Sequence, residues 1–155
     1  MAIEIERKFL VIGDGWRATA ISSRRLRQFY LSRDGRSSVR VRIEADRRAW
    51  LTIKTAASGT SRSEFEYALP MQDAKDMVPF AEGAIIDKVR HIVPYAGFDW
   101  EVDVFAGDNA GLVVAEVELD SAEQAPDLPD WIGNEVTDDR RYYNASLVHR
   151  PFKDW

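Results

Sequence analysis

The chain has 155 residues, 45% apolar and 30% charged, which suits one folded domain (1–155) with a sizeable core and excludes a disordered segment. Its net charge of −5 argues against wrapping long nucleic acid by bulk electrostatics, although 21 Lys and Arg residues can still converge on a small polyanion. The lack of cysteine excludes disulfides, thiolate nucleophiles and Cys-rich zinc sites and fits a reducing cytoplasm; no stretch reads as a signal peptide or a membrane span, so no membrane partner is expected.

The character of residues 2–11 changes with period two, as in a β-strand: Glu4, Glu6 and Lys8 share one face, with Ile3, Ile5 and, past a break at Arg7, Phe9 on the other. After a turn at Gly13, Asp14 and Gly15, residues 16–21 form a short connector. A second strand over 22–32 sets Leu26, Gln28 and Tyr30 against Arg25, Arg27 and Phe29, and Asp34 and Gly35 supply a hairpin turn. Strand three (37–44) alternates Arg40, Arg42 and Glu44 with Val39, Val41 and Ile43. Strand four (49–55) sets Trp50, Thr52 and Lys54 against Leu51 and Ile53. A polar loop over 57–61 leads to strand five, where Glu64, Glu66 and Ala68 oppose Phe65, Tyr67 and Leu69.

Pro70 suits the first position of a helix whose stripe is Ala74, Met77, Val78 and Ala81; Pro79 is expected to kink or divide it and Gly83 to end it. Strand six (85–94) carries Lys88 and Arg90 on one face and Val89, His91 and Val93 on the other. Ala96 and Gly97 turn the chain into strand seven (98–105), with Glu101 and Asp103 opposite Trp100, Val102 and Val104. Strand eight (112–120) sets Glu116, Glu118 and Asp120 against Ala115, Val117 and Leu119. A Pro- and Trp-containing connector follows, then a short strand end at 135–137. Asp138 or Asp139 caps a final helix expected to run to about Val148, and the tail packs through Phe152 and Trp155.

Eight strands with short links and few helices predict a mainly β (α+β) fold, an eight-stranded antiparallel β-barrel. In an ordinary sandwich the charged faces would meet solvent, and a face selected for solubility mixes signs along a strand. Here like charges stand two apart on one strand after another: Glu4 with Glu6, Arg40 with Arg42, Glu64 with Glu66, Lys88 with Arg90, Glu101 with Asp103, Glu116 with Glu118. Packed inside a barrel such doublets repel unless something of opposite charge sits between them. The consistent solution is a wet, charged lumen with a partly covered apolar exterior. Cations and carboxylates together fit a phosphoanhydride that carries its own Mg²⁺ or Mn²⁺.

These residues resemble the CYTH superfamily, the triphosphate tunnel metalloenzymes, in its short single-domain bacterial form. The E-x-E-x-K motif stands as Glu4, Glu6 and Lys8, the R-x-R strand as Arg40 and Arg42, T-x-K as Thr52 to Lys54, and E-x-E as Glu64 and Glu66. K-x-R is Lys88 and Arg90, W-E-x-D-x-F is 100–105, A-E-x-E-L is 115–119, and the closing EVT-x-D-x-R-Y-x-N is 135–144. The resemblance implies a tunnel in which one or two divalent ions (Mg²⁺ or Mn²⁺) assist cleavage of the terminal anhydride of a small triphosphate. It implies Glu4, Glu6, Glu116 and Glu118 as metal carboxylates and Lys8, Arg40, Arg42, Lys54, Lys88 and Arg90 as phosphate ligands, with Tyr30 a looser match at the tunnel mouth. Glu64, Glu66, Glu101 and Asp103 are implied as further catalytic acids, for a second metal or for water, beside Glu4, Glu6 and Lys8. Shared motifs leave open which triphosphate is used, an adenylyl cyclase on the same cradle, a non-catalytic polyphosphate-binding module, and a homodimer. His91 and His149 are expected to be packing or surface residues, Trp16, Trp131 and Trp155 exterior packing, Tyr142 and Tyr143 anchors of the last helix, and Arg25 and Arg27 solvent-facing.

Overall fold

The structure, a computed structural model, describes residues 2–56 and 61–155. The expected polar loop falls outside these residues except for Ser61, which already belongs to a strand. Eight strands, β1 (Ala2–Val11), β2 (Ser22–Arg33), β3 (Ser37–Glu44), β4 (Arg48–Thr55), β5 (Ser61–Leu69), β6 (Glu82–Tyr95), β7 (Phe98–Phe105) and β8 (Val113–Glu118), pair antiparallel in the order β5-β4-β3-β2-β6-β7-β8-β1. Pairing of Ala2–Ile5 with Ser61–Glu64 closes the ring, so the eight-stranded barrel is as expected. A ninth short strand, β9 (Ile132–Glu135), pairs with the far half of β1. There Arg7 leaves the barrel face and grips Glu135 through two hydrogen bonds of 2.8 and 3.0 Å.

Turn chemistry fixes the hairpins. The Asp34 carboxylate accepts the backbone N–H groups of Arg36 and Ser37 (2.7 and 2.8 Å), tightening the β2–β3 link. Ala96 and Gly97 both have positive φ (48° and 84°), the twist-compatible geometry of a two-residue β6–β7 turn.

The helical segments are shorter than the sequence pattern predicts. Helix α1 spans only Met71–Met77, with Pro70 as its extended N-cap rather than its first turn. At Val78–Phe80 the chain tightens into a 3-10 turn, because Pro79 has no N–H to continue the α ladder. Gly83 does not end the helix: it lies inside β6 with φ +78°, where a Cβ would sit 2.6 Å from the Val148 carbonyl oxygen. The expected final helix is broken into a 3-10 turn at Arg140–Tyr142 and a single-turn helix α2 (Asn144–Leu147), because Tyr143 is extended (ψ 134°). Asp139 does cap the first piece, accepting the Arg141 N–H. No helix among the described residues is long and apolar enough to cross a membrane.

Three apolar clusters hold this shell. Two lie outside the barrel, as period two requires. One surrounds Phe9, Trp16, Trp100 and Val117; the other packs Phe29, Val41 and Ile43 under Ala74 of α1. The third lies inside. Leu10, Tyr30, Ile86, Phe105 and Val114 continue the lumen-facing parity of Lys8, Gln28, Lys88, Asp103 and Glu116, and they meet Leu147 and Val148. Burying a side chain such as Leu147, fully enclosed here, contributes about 1.5–3 kcal/mol. The C-terminal segment, expected only to lean on the barrel, therefore plugs one end of the lumen and turns a tube into a cup.

Candidate functional site

The cup holds a cavity of about 300 Å³. Of the residues the sequence marks out, Glu4, Glu6, Lys8, Tyr30, Arg40, Arg42, Lys54, Glu64, Glu66, Lys88, Arg90, Glu101, Glu116 and Glu118 all line it. Asp103 does not. It is 1% exposed, and its carboxylate takes Lys88 Nζ at 2.6 Å and Arg90 Nε and Nη2 at 2.8 and 2.9 Å, which fastens two cations from behind. An ionised acid can sit this deep only because two cations share it: burial alone would raise its pKa, yet Arg90 and Lys88 bring it down to about 2.

The charges are sorted by strand into two halves. In ring order, β7, β8, β1 and β5 carry Glu101 and Asp103, Glu116 and Glu118, Glu4 and Glu6, and Glu64 and Glu66. The other four, β4, β3, β2 and β6, carry Lys54, Arg40 with Arg42, Arg24, and Lys88 with Arg90. The halves neutralise each other at their two seams. At one, Arg90 reaches Glu101 and, with Lys88, Asp103; at the other, Lys54 meets Glu4 at 2.8 Å and Glu64 at 3.3 Å.

Away from the seams like charge faces like. Arg40 donates to Thr52 Oγ1 at 3.2 Å and leaves its buried Nε without a partner among the described residues. Arg42 donates to Gln28 Oε1 at 3.3 Å; burial, then Arg40 and Arg90, push its pKa down to about 9. On the acid side Glu6 and Glu116 lie on the adjacent strands β1 and β8. Burial, then Glu116 and Glu4, push the Glu6 pKa well up, while Lys8 and Arg90 outweigh burial at Glu116 and hold it low. Glu118 is raised by burial and by Glu4, Glu101 and Glu64. The cup thus has an arginine pair short of an anion and, in Glu6 and Glu118, carboxylates whose charge neighbouring carboxylates oppose.

Two cations stand in the acid half. Lys8 is 3.5 Å from Glu116 and donates to the Tyr142 carbonyl at 3.2 Å. Arg62 on β5 donates to Glu4 (Nε, 2.9 Å) and to Glu6 (Nη2, 3.0 Å). Arg62 shares the parity of Glu64 and Glu66, but its sign is opposite to theirs, so it stands outside the like-charge doublets that mark the lumen faces. Arg24 could be read from its parity with Leu26 and Gln28; it pairs with Glu44 at 2.6 Å. Ser38, Thr137, Tyr143, Asn144 and Ala145 also line the cavity. The last three come with the plug, so Tyr143 is a wall of the cup as well as an anchor, its hydroxyl donating to the Thr137 carbonyl at 2.8 Å. The other aromatic and basic residues lie outside: Trp16 packs on His91, Trp131 on Trp100 and Trp155 on Tyr142, while Arg25 and Arg27 pair with Asp87 and Asp46 on the outer surface. His149 lies 3.8 Å from Glu82, clear of the cavity.

A divalent ion is tested by this donor set. Among the described residues no three acids already converge in coordinating geometry, and Glu4 is engaged by Lys54 and Arg62. Yet Glu6 and Glu118 stand opposite each other across the β1–β8 pair with Glu116 beside them, burial and neighbouring carboxylates raise the pKa of Glu6 and Glu118, and oxygen donors of this kind suit Mg²⁺ or Mn²⁺. The residues fit the ion.

Comparison with known proteins gives consistent results. A CYTH domain matches residues 2–150. The chain is 43% identical to an inorganic triphosphatase of Acetivibrio thermocellus over 156 aligned positions, covering 100% of this chain and 99% of the relative. It is 35% identical to an inorganic triphosphatase of Nitrosomonas europaea, covering 94% and 96%. The crystal structure of the inorganic triphosphatase NE1496 superposes with a TM-score of 0.67 at 34% identity, covering 96% of this chain and 95% of that one.

Proposed function

The chain belongs to the CYTH domain family and is a triphosphatase; from that premise we propose that its cup hydrolyses the terminal anhydride of inorganic tripolyphosphate with a divalent cation, Mg²⁺ or Mn²⁺, in the cytoplasm. The observation that carries this reading is the sorting of charge, with Arg40 and Arg42 short of an anion on one wall and Glu6 and Glu118, raised by burial and by neighbouring carboxylates, on the other. A linear triphosphate with its metal supplies both at once. A plugged cup also favours a short substrate that enters and leaves by one mouth.

In this mechanism Arg40 and Arg42 grip phosphate oxygens by charge-assisted hydrogen bonds, and Lys88 and Arg90, held from behind by Asp103, present further donors. Lys54 and Lys8 neutralise charge on the reacting and leaving phosphates. Glu4, Glu6, Glu116 and Glu118 would hold the ion, which when bound polarises phosphate oxygens and lowers the pKa of water. Glu64 and Glu66, which line the cavity, would accept a proton from a water that attacks the terminal phosphorus in line. Glu101, tied to Arg90, orients that guanidinium.

The test is phosphate release from tripolyphosphate, ATP, thiamine triphosphate and pyrophosphate with Mg²⁺, Mn²⁺ or Ca²⁺. Turnover of tripolyphosphate that EDTA abolishes and Glu4→Gln lowers by about 10²–10³-fold, with the native circular-dichroism spectrum retained, is expected. Wild-type rates in Glu4→Gln, or cyclic nucleotide from ATP without phosphate release, would overturn the reading.

A further inference from the structure

Arg62 has a position that the phosphate-binding set leaves unexplained. It lies on the acid half of the ring, two residues before Glu64, and bridges two acids instead of facing the anion-binding wall. Its guanidinium donates from Nε to Glu4 Oε2 and from Nη2 to Glu6 Oε1, while Lys54 Nζ sits 2.9 and 2.8 Å from the two Glu4 oxygens. Three of the four oxygens of Glu4 and Glu6 are therefore donated to by side-chain cations.

We infer that Arg62, with Lys54, is an exchangeable counter-ion that competes with the divalent cation for Glu4 and Glu6 and passes to phosphate when that cation enters. The inference rests on the proposed function and deepens it. A carboxylate oxygen held at 2.9 Å by a guanidinium has one lone pair engaged and its charge largely neutralised, and a small, hard ion beside that guanidinium is repelled, so the ion pair and the metal contact weaken each other. Arg62 already lines the cavity, and its long flexible stem lets the guanidinium turn from the acid wall toward a bound anion without moving β5.

The consequence is linkage. A triphosphate that draws Arg62 and Lys54 toward itself uncovers Glu4 and Glu6, and an ion that takes Glu4 and Glu6 releases two cations for phosphate. Each ligand thus raises the affinity of the other beyond their direct contact, in the 5- to 150-fold range usual for such couplings, roughly. By the same logic the ion pairs hold down affinity for a divalent cation arriving alone.

The experiment is Mn²⁺ binding to phosphate-free protein, followed by electron paramagnetic resonance, together with calorimetric binding of tripolyphosphate in EDTA. Arg62→Met should bind Mn²⁺ about tenfold more tightly than wild type, and tripolyphosphate more weakly. Arg62→Lys keeps the charge but is too short to bridge both acids, and should fall between the two. Arg42→Met removes one charge from the same cavity without freeing an acid, so its gain in Mn²⁺ affinity should be smaller. Opposite movement of the two affinities separates this role from a structural one, which would weaken both. If Arg62→Met does not fold, Arg62→Lys against Arg42→Met carries the comparison. Unchanged or weaker Mn²⁺ binding in the Arg62 variants, or an equal gain in Arg42→Met, overturns the inference and leaves the triphosphatase reading standing. A wild-type protein that binds no Mn²⁺ with or without tripolyphosphate overturns both.

Discussion

Replacing Asp103 with Asn removes a charge that two buried cations share. Lys88 is 1% exposed and Arg90 7%, and between them they place three nitrogen donors within 2.6–2.9 Å of the Asp103 carboxylate. Burial pulls the Lys88 pKa down to about 8 even with Asp103 in place, so without it two cations would face each other in a poorly solvated wall. Breaking one side of such a buried pair costs about 3–5 kcal/mol. For a chain of this size each kcal/mol moves the midpoint by about 2–4 °C, so the thermal unfolding midpoint at pH 7 should fall by about 6–20 °C. Tripolyphosphate should recover more of that loss in the variant than it adds to wild type, because the anion then serves as the missing counter-ion. The assay is circular-dichroism melting with and without tripolyphosphate. A variant midpoint within about 2 °C of wild type would refute the claim that Asp103 holds this wall together.

The same residue sets an acid limit. Its folded pKa of about 2 lies below the ordinary 3.8, so its stabilising contribution is complete above about pH 4 and is lost as pH falls through 2. A shift of this size corresponds to about 2–3 kcal/mol, and Asp103→Asn should flatten that part of the stability–pH curve, measured by denaturant titration. Gly83→Ala would force a side chain into positive φ and against the Val148 carbonyl oxygen, which also accepts the Ala84 N–H at 2.9 Å. A cost of about 1–3 kcal/mol is expected, with faster amide exchange at Ala84 as the C-terminal plug loosens; unchanged exchange would count against the plug.

Most of the barrel was legible because strands that bury one face against a shell and turn the other to a charged lumen alternate cleanly, and their termini are set by turn residues such as Asp34 and Ala96-Gly97. The site was legible for the same reason. Like-charge doublets such as Arg40 with Arg42 and Glu116 with Glu118 make little physical sense on a solvent face, and the parity that groups them puts them on one cavity. What escaped depended on tertiary placement. Nothing local in 140–148 reveals that Leu147 and Val148 enter the lumen, or that Tyr143 breaks the helical pattern to get them there. Asp103 has the parity of a lumen acid, yet one layer of depth and two neighbouring cations make it a support behind the wall. Arg62 escapes because it stands two residues before Glu64 with the opposite charge, outside every like-charge doublet.

The most direct measurement is the diffraction of crystals soaked with Mn²⁺ and imidotriphosphate, collected at a wavelength where manganese scatters anomalously. A manganese peak against Glu6, Glu116 and Glu118, with the phosphate chain against Arg40 and Arg42, is the expected result. Phosphates bound on the outer surface of the barrel, or a cup that takes up the anion and leaves its carboxylates paired only with Lys54 and Arg62, would contradict it.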